Sequence, residues 1–185
     1  MIRAAGRVVL GIDPGTRHLG WGVVLAEGAR VSHVAHGVIH TDADAALGDR
    51  LVAIDDALRE VVARHAPVSA GVESIFFSKD PQAAAKLGHA RGVVLLALRR
   101  AGVAIEELAP AHVKRAIVGR GAADKRQVAM VVTAILRLAA PPPADAADAL
   151  AIAITHARRG ALPALSVAIA AGVKRAQIAR RARAF

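Results

Sequence analysis

The sequence predicts an α/β fold: a five-stranded mixed sheet flanked by helices on both faces. Three observations predict it. Apolar runs broken by turn residues fill residues 7–40, helical spacing of apolar residues begins only after them, and short apolar runs then alternate with helical segments.

Arg7 to Asp13 (RVVLGID) is a continuous apolar run stopped by Asp-Pro-Gly, which predicts a buried strand ending in a turn. Leu19 to Leu25 and Arg30 to His40 predict two further strands joined through Glu27, Gly28 and Ala29, giving an antiparallel meander. From Gly48 to His65 the positions Leu51, Ile54, Leu58, Val61 and Val62 recur at helical spacing, with charged residues opposite. Val68 to Ser74 follows as a short strand, Pro81 to Arg100 as a helix interrupted by Gly88 and Gly92, and Val103 to Ala109 as a fifth strand. Helices over Asp124 to Leu138 and Asp145 to Arg158 are separated by Pro141, Pro142 and Pro143, which cannot continue a helix interior. A meander followed by helix, strand, helix, strand and further helices is the order of a ribonuclease-H-like fold. Residues 1–160 form one domain in this reading. Residues 161–185 turn from apolar (Leu162 to Val173) to basic (Lys174, Arg175, Arg180, Arg181, Arg183) and are expected to be a C-terminal tail or helix.

A chain of 185 residues buries one sizeable core, and with 55% hydrophobic but only 2% aromatic residues that core must be built from Val, Ile, Leu and Ala. No apolar stretch reaches the roughly 20 residues that span a bilayer. The first residues carry no signal-peptide pattern, so a cytoplasmic location without membrane contact is expected. The chain has no Cys, which excludes disulfides, thiolate zinc sites and a cysteine nucleophile, and leaves oxygen or imidazole ligands for any metal. A net charge of +10 favours a polyanionic partner, nucleic acid first among them.

Four acids stand in apolar sequence: Asp13, Glu73, Asp145 and Asp148. A buried, unpaired carboxylate costs several kcal/mol, so each needs a compensating partner. Singly they have ordinary explanations: a turn at Asp-Pro-Gly, a helix N-cap at Asp145, a buried Arg beside Glu73. Jointly they suggest something else. Asp13 ends the first predicted strand, Glu73 lies near the end of the fourth, and Asp145 and Asp148, spaced i, i+3, share one helix face. Four carboxylates aimed at one point repel one another unless a cation joins them, and all-oxygen ligands select a hard ion such as Mg²⁺ or Mn²⁺.

The segments GIDPGTRHLGWGVV (Gly11 to Val24), GVESIFFSKDPQAAAKLGHARGV (Gly71 to Val93), HVKRAIVGRGAADKRQV (His112 to Val128) and ADAADALAIAITH (Ala144 to His156) resemble, in order and spacing, the RuvC family of Holliday junction resolvases. The resemblance covers about Val8 to Arg158. It places the family's acidic tetrad on the four acids already singled out. It implies two Mg²⁺ ions per site, with Mn²⁺ able to substitute, and phosphodiester hydrolysis leaving 5′-phosphate and 3′-hydroxyl ends. Phe76 matches the family's aromatic that stacks on bases at the junction centre, although Phe76 and Phe77 would point oppositely in extended chain and either could be the buried one. Lys114 and Lys125 match its two functional lysines. They lie in a basic stretch with Arg115, Arg120 and Arg126 around the Gly119 to Gly121 loop, suited to phosphate contact, though any one of these charges could simply be a solvated helix face.

A four-way junction presents two equivalent strands, so one site per chain implies a homodimer. The resemblance adds the branch-migration proteins RuvA and RuvB as partners. No role is assigned to His18, His89 or His112, and Trp21 is expected to pack rather than touch DNA. Two other readings stand beside the resolvase: a non-catalytic junction- or DNA-binding module of the same fold, which leaves the four acids unexplained, and an actin-like nucleotide-binding domain, for which this chain offers only one Asp-Pro-Gly-Thr turn.

Overall fold

The computed structural model describes residues 6–74, 81–121 and 123–159. Its strands are β1 (Arg7–Asp13), β2 (His18–Glu27), β3 (Arg30–His40), β4 (Ser69–Glu73) and β5 (Ala104–Leu108). Its helices are α1 (Leu47–His65), α2 (Pro81–Arg100), α3 (Pro110–Val118), α4 (Lys125–Leu136) and α5 (Ala144–Arg159). The strands form one sheet in the order β3-β2-β1-β4-β5, antiparallel between β1, β2 and β3 and parallel from β1 through β4 to β5. The expected mixed sheet is therefore observed, and the structure agrees with a ribonuclease-H-like fold.

Two apolar layers hold it together. On one face Ile54, Leu58 and Val62 of α1 and Ala90, Val94 and Leu98 of α2 pack on Leu10, Ile12, Val23 and Val72. On the other, Val113 and Ile117 of α3, Val128 and Val132 of α4, and Leu150 to Ile154 of α5 pack on Val9, Val24 and Leu108. The alternation of a strand sends Val9 and Leu10 to opposite faces, so a strand buried on both sides reads as a continuous apolar run. Trp21, half-buried, packs against the α1–α2 layer and tilts against the His65 ring, as the packing expectation required.

Two sequence readings need correction. Gly88 and Gly92 do not interrupt α2, which is continuous, because neither a cap nor a break accompanies them. Pro110–Val118, for which the sequence predicts no element, is a helix, with Pro110 opening it and Gly119 closing it in the left-handed conformation (φ 83°). The expected tail, residues 161–185, lies outside the described residues, as do Phe76 and Phe77. Among the described residues no helix is long and apolar enough to cross a membrane.

The most buried helix, α5, lies directly across β1 and β2, and glycines make that approach possible. A Cβ built on Gly20 would sit 2.0 Å from the Asp145 carbonyl oxygen, and one on Gly11 2.1 Å from that of Ala149. Both are backbone clashes that no rotamer change relieves. Small residues on the helix, Ala146, Ala149 and Ala153, complete the close fit, each fully buried. Replacing Gly20 or Gly11 by Ala is expected to destabilise the protein by at least about 1–3 kcal/mol, as overpacking does. Gly48→Ala, with nothing within 4 Å of its added Cβ, should leave stability unchanged or slightly raised. Chemical denaturation of the three variants checks this.

Candidate active site

Asp13 and Glu73 are the last residues of β1 and β4, neighbouring parallel strands whose register pairs Ile12 with Val72. The next residues on the two strands are thus Asp13 and Glu73, brought side by side at the sheet's carboxyl edge, where open α/β sheets bind ligands. Asp148 reaches the same place from the second turn of α5, a consequence of the glycine seat that sets the helix height. A cavity of about 250 Å³ is lined by Asp13, Glu73, Asp148, Lys114 and Lys125, with Val113, Val128 and Ile152 among its apolar walls.

The turn after Asp13 is fixed from outside the cavity. Arg50, 9% exposed, donates through Nε to the Thr16 carbonyl (3.1 Å) and to Thr41 Oγ1 (3.3 Å), and Thr41 Oγ1 itself donates to the Thr16 carbonyl (2.6 Å). On the other strand Arg91 of α2 donates to the Glu73 carbonyl (3.3 Å) and pairs with Glu107 of β5. The Arg expected as an ordinary partner of Glu73 therefore exists, but it binds the backbone and leaves the carboxylate to the cavity. The sequence reading did not single out Arg91; an Arg one position from the buried Ala90 and three from the buried Val94 was the available signal.

The electrostatics are those of crowded anions. Burial pushes the Asp13 carboxyl up to about 8, reinforced by the charges of Glu73 and Asp148 and a hydrogen bond with Glu73, while Lys125 pulls it down. Glu73 is also raised, by burial first, with its hydrogen bond to Asp13 and the two lysines opposing. Lys125 Nζ lies 2.9 Å from Asp148 Oδ2, and that hydrogen bond raises the lysine's pKa.

The structure thus gathers Asp13, Glu73, Asp148, Lys114 and Lys125. Asp145, half-buried one turn earlier on α5, does not line the cavity, although its charge still acts on Lys125. Among the described residues no three acids or histidines are drawn into a group spaced to hold a metal ion; Lys125 holds Asp148 instead. Arg115, Arg120 and Arg126 are exposed outside the cavity, and His18, His89 and His112 do not line it.

The donor set is nonetheless one that a hard divalent cation fits. It is all carboxylate oxygen, too costly to ionise fully without positive charge, and an ammonium group already sits against one of its members.

A mixed sheet with acids at its carboxyl edge, clustered among lysines, defines a nuclease-like member of the ribonuclease-H-like class. The chain belongs to the RuvC family: the family model described as crossover junction endodeoxyribonuclease RuvC matches residues 9–156. A crossover junction endodeoxyribonuclease RuvC of Sorangium cellulosum is 63% identical over 175 residues, 95% of this chain and 98% of the relative. Its counterpart in Bradyrhizobium diazoefficiens is 48% identical over 161 residues, 87% and 92% of the two chains. Among solved structures, Thermus thermophilus RuvC in complex with a Holliday junction substrate superposes with a TM-score of 0.77 at 39% identity, covering 84% of this chain and 97% of that one. A yeast mitochondrial Holliday junction resolvase shares the fold at 14% identity, with a TM-score of 0.57 over 81% and 77% of the chains.

The carboxylate crowding has a consequence for stability. An acid whose folded pKa lies near 8 instead of its ordinary value near 3.8 is held neutral in the fold, and its contribution is lost as pH rises through the folded pKa. In chelator, Asp13→Asn should therefore match the wild type in thermal denaturation near pH 4. It should exceed the wild type increasingly between about pH 4 and pH 8 and level off above that, by on the order of 5 kcal/mol. A difference that shrinks with rising pH would contradict the burial of Asp13.

Proposed function

We propose that this protein is a structure-specific endonuclease that resolves Holliday junctions in DNA recombination and repair, cutting two strands symmetrically and leaving 5′-phosphate and 3′-hydroxyl ends. The observation that carries the reading is the convergence of two strand-end carboxyls and a helix-borne carboxylate on one lysine-flanked cavity, in a chain of the RuvC family.

Asp13, Glu73 and Asp148, joined by Asp145, are the residues that would hold Mg²⁺, two ions per site, with Mn²⁺ substituting. When bound, the ions supply an activated water and neutralise charge at the scissile phosphate. The chain's own residues prepare the rest. Asp13 and Glu73 share a hydrogen bond while a proton lies between them, and would hold the ions once that proton is lost. Lys125 exchanges its ion pair with Asp148 for a phosphate oxygen, and Lys114, half-buried at the cavity wall, faces another. The apolar walls at Val113, Val128 and Ile152 limit water around these charges, which strengthens them. Arg115, Arg120 and Arg126 add phosphate contacts outside the cavity, and Phe76 supplies base stacking at the junction centre.

Symmetric incision requires two sites related by a two-fold axis, so the active form is a homodimer. An exposed apolar face suits the contact. Leu51 of α1 and Gly88, Gly92, Val93 and Leu96 of α2 line a shallow hollow, with Leu96 half exposed. The small residues allow a second copy to approach closely. RuvA and RuvB are proposed as partners on family membership alone.

Two measurements test this reading. On a labelled synthetic four-way junction with Mg²⁺, the wild type should make paired nicks that a chelator abolishes and a linear duplex does not receive. Asp13→Asn, Glu73→Gln and Asp148→Asn should each lower cutting by at least about 10³-fold while junction binding persists; cutting that survives all three would remove the carboxylate site. Leu96→Asp should sediment as a monomer and lose paired incision, while a dimer that persists would place the contact elsewhere.

A further inference from the structure

A second concave site lies at the opposite pole of the molecule. The carboxyl edge of β1 carries the acids; the other end of the sheet, where β2 turns into β3, meets the ends of α4 and α5. There a cleft of about 610 Å³ is lined by Arg30, Arg137 and Arg158, with Ser32 and the apolar Val31 and Ile135 between them. No acidic side chain lines it, and among the described residues none of the three arginines has an ion-pair partner. The arginines come from three separate elements, so the cluster is a product of the fold and not of one basic stretch.

Arg137 adds a second kind of observation. It caps α4 in the left-handed conformation, at φ 53°. Glycine takes that position without strain, and a residue with a Cβ does so at a cost. The Arg137 side chain lines the arginine cleft.

The helix α4 joins this cleft to the catalytic cavity. Lys125 at its start lines the cavity, and Arg137 at its end lines the cleft. Its 12 residues span about 18 Å, close to five base pairs of duplex at 3.4 Å per step. The outer face of the helix carries Arg126, Met130 and Ala134, all exposed. No acid occurs between Asp124 and Asp145 in the sequence, so α4 itself adds no side chain that repels a phosphate.

We propose that Arg30, Arg137 and Arg158 bind the phosphodiester backbone of the junction arm that leaves the catalytic cavity along α4, about five base pairs from the cut. The site reads charge and position, not sequence. It rests on the resolvase reading for the identity of the DNA.

The test compares the wild type with Arg30→Gln/Arg137→Gly/Arg158→Gln in junction binding under chelation, so that binding is read apart from cutting. The glycine at position 137 suits the left-handed cap, and thermal denaturation should show a fold as stable as the wild type. The variant should bind about tenfold more weakly near 0.1 M salt, with the slope of log affinity against log salt reduced by about 2 to 3. Neutral methylphosphonate linkages placed about four to seven base pairs from the cut should weaken the wild type and leave the variant indifferent. With Mg²⁺ and saturating enzyme, both should cut at the same rate. Unchanged affinity and salt slope in the variant would overturn the proposal. Junction binding that is unchanged while retention of a polyglutamate probe is lost would also overturn it, in favour of an acidic protein segment. A wild type that binds junctions but never cuts them would refute the resolvase reading without altering the comparison of arms.

Discussion

The close seating of α5 on the sheet is the contact on which the rest depends. A helix normally stands about 10 Å from a sheet because side chains on both surfaces must fit between them. Here Gly20 and Gly11 face the helix backbone with no side chain at all, and alanines face them from the helix. The helix therefore settles lower than a Leu- or Val-covered sheet would permit. Its height fixes where Asp148 meets Asp13 and Glu73, so a packing device two strands wide sets the geometry of the chemistry. The large residues of the core, Leu150, Ile152 and Ile154 among them, then fill the spaces beside this contact.

The site built this way is held at a cost. Asp13 is buried beside two other acids, and its carboxyl is pushed up to about 8, a state that opposes the charge a metal site requires. Rigid supports outside the cavity keep the acids in place despite it. Arg50 and Thr41 pin the turn after Asp13, and Arg91 ties the backbone of Glu73 to β5. Both arginines act on carbonyl oxygens near the acids and leave the carboxylates free. Cations of the chain, Lys125 above all, offset part of the negative field. On the proposed reading, a site in which a proton and an ammonium balance the carboxylates would release that proton when divalent ions bind.

Much of this was legible in the sequence. Each strand reads as an apolar run bounded by turn residues, and Asp13 and Glu73 stand out because an acid at the end of such a run has no ordinary packing role. The i, i+3 spacing of Asp145 and Asp148 correctly gave one helix, but not which of the two enters the cavity; that depends on the height of α5, a tertiary property. The helix α3 escaped notice because its nine residues are too few for periodicity, although Pro110 and Gly119 mark its ends. The unbroken course of α2 through Gly88 and Gly92 shows packing overriding local propensity. Arg91 meets the Glu73 backbone 18 positions away, Arg50 meets that of Thr16 34 positions away, and the arginine cleft joins three separate elements; no local pattern encodes such meetings.

The central claim is that carboxylates from two strands and one helix act as a single cation site. Binding of Mn²⁺, followed by electron paramagnetic resonance on the wild type, Asp13→Asn and Asp148→Asn, tests it most directly. The account predicts about two ions per chain in the wild type, with weakened binding when either the strand acid or the helix acid is neutralised. Binding that is indifferent to both substitutions would contradict it.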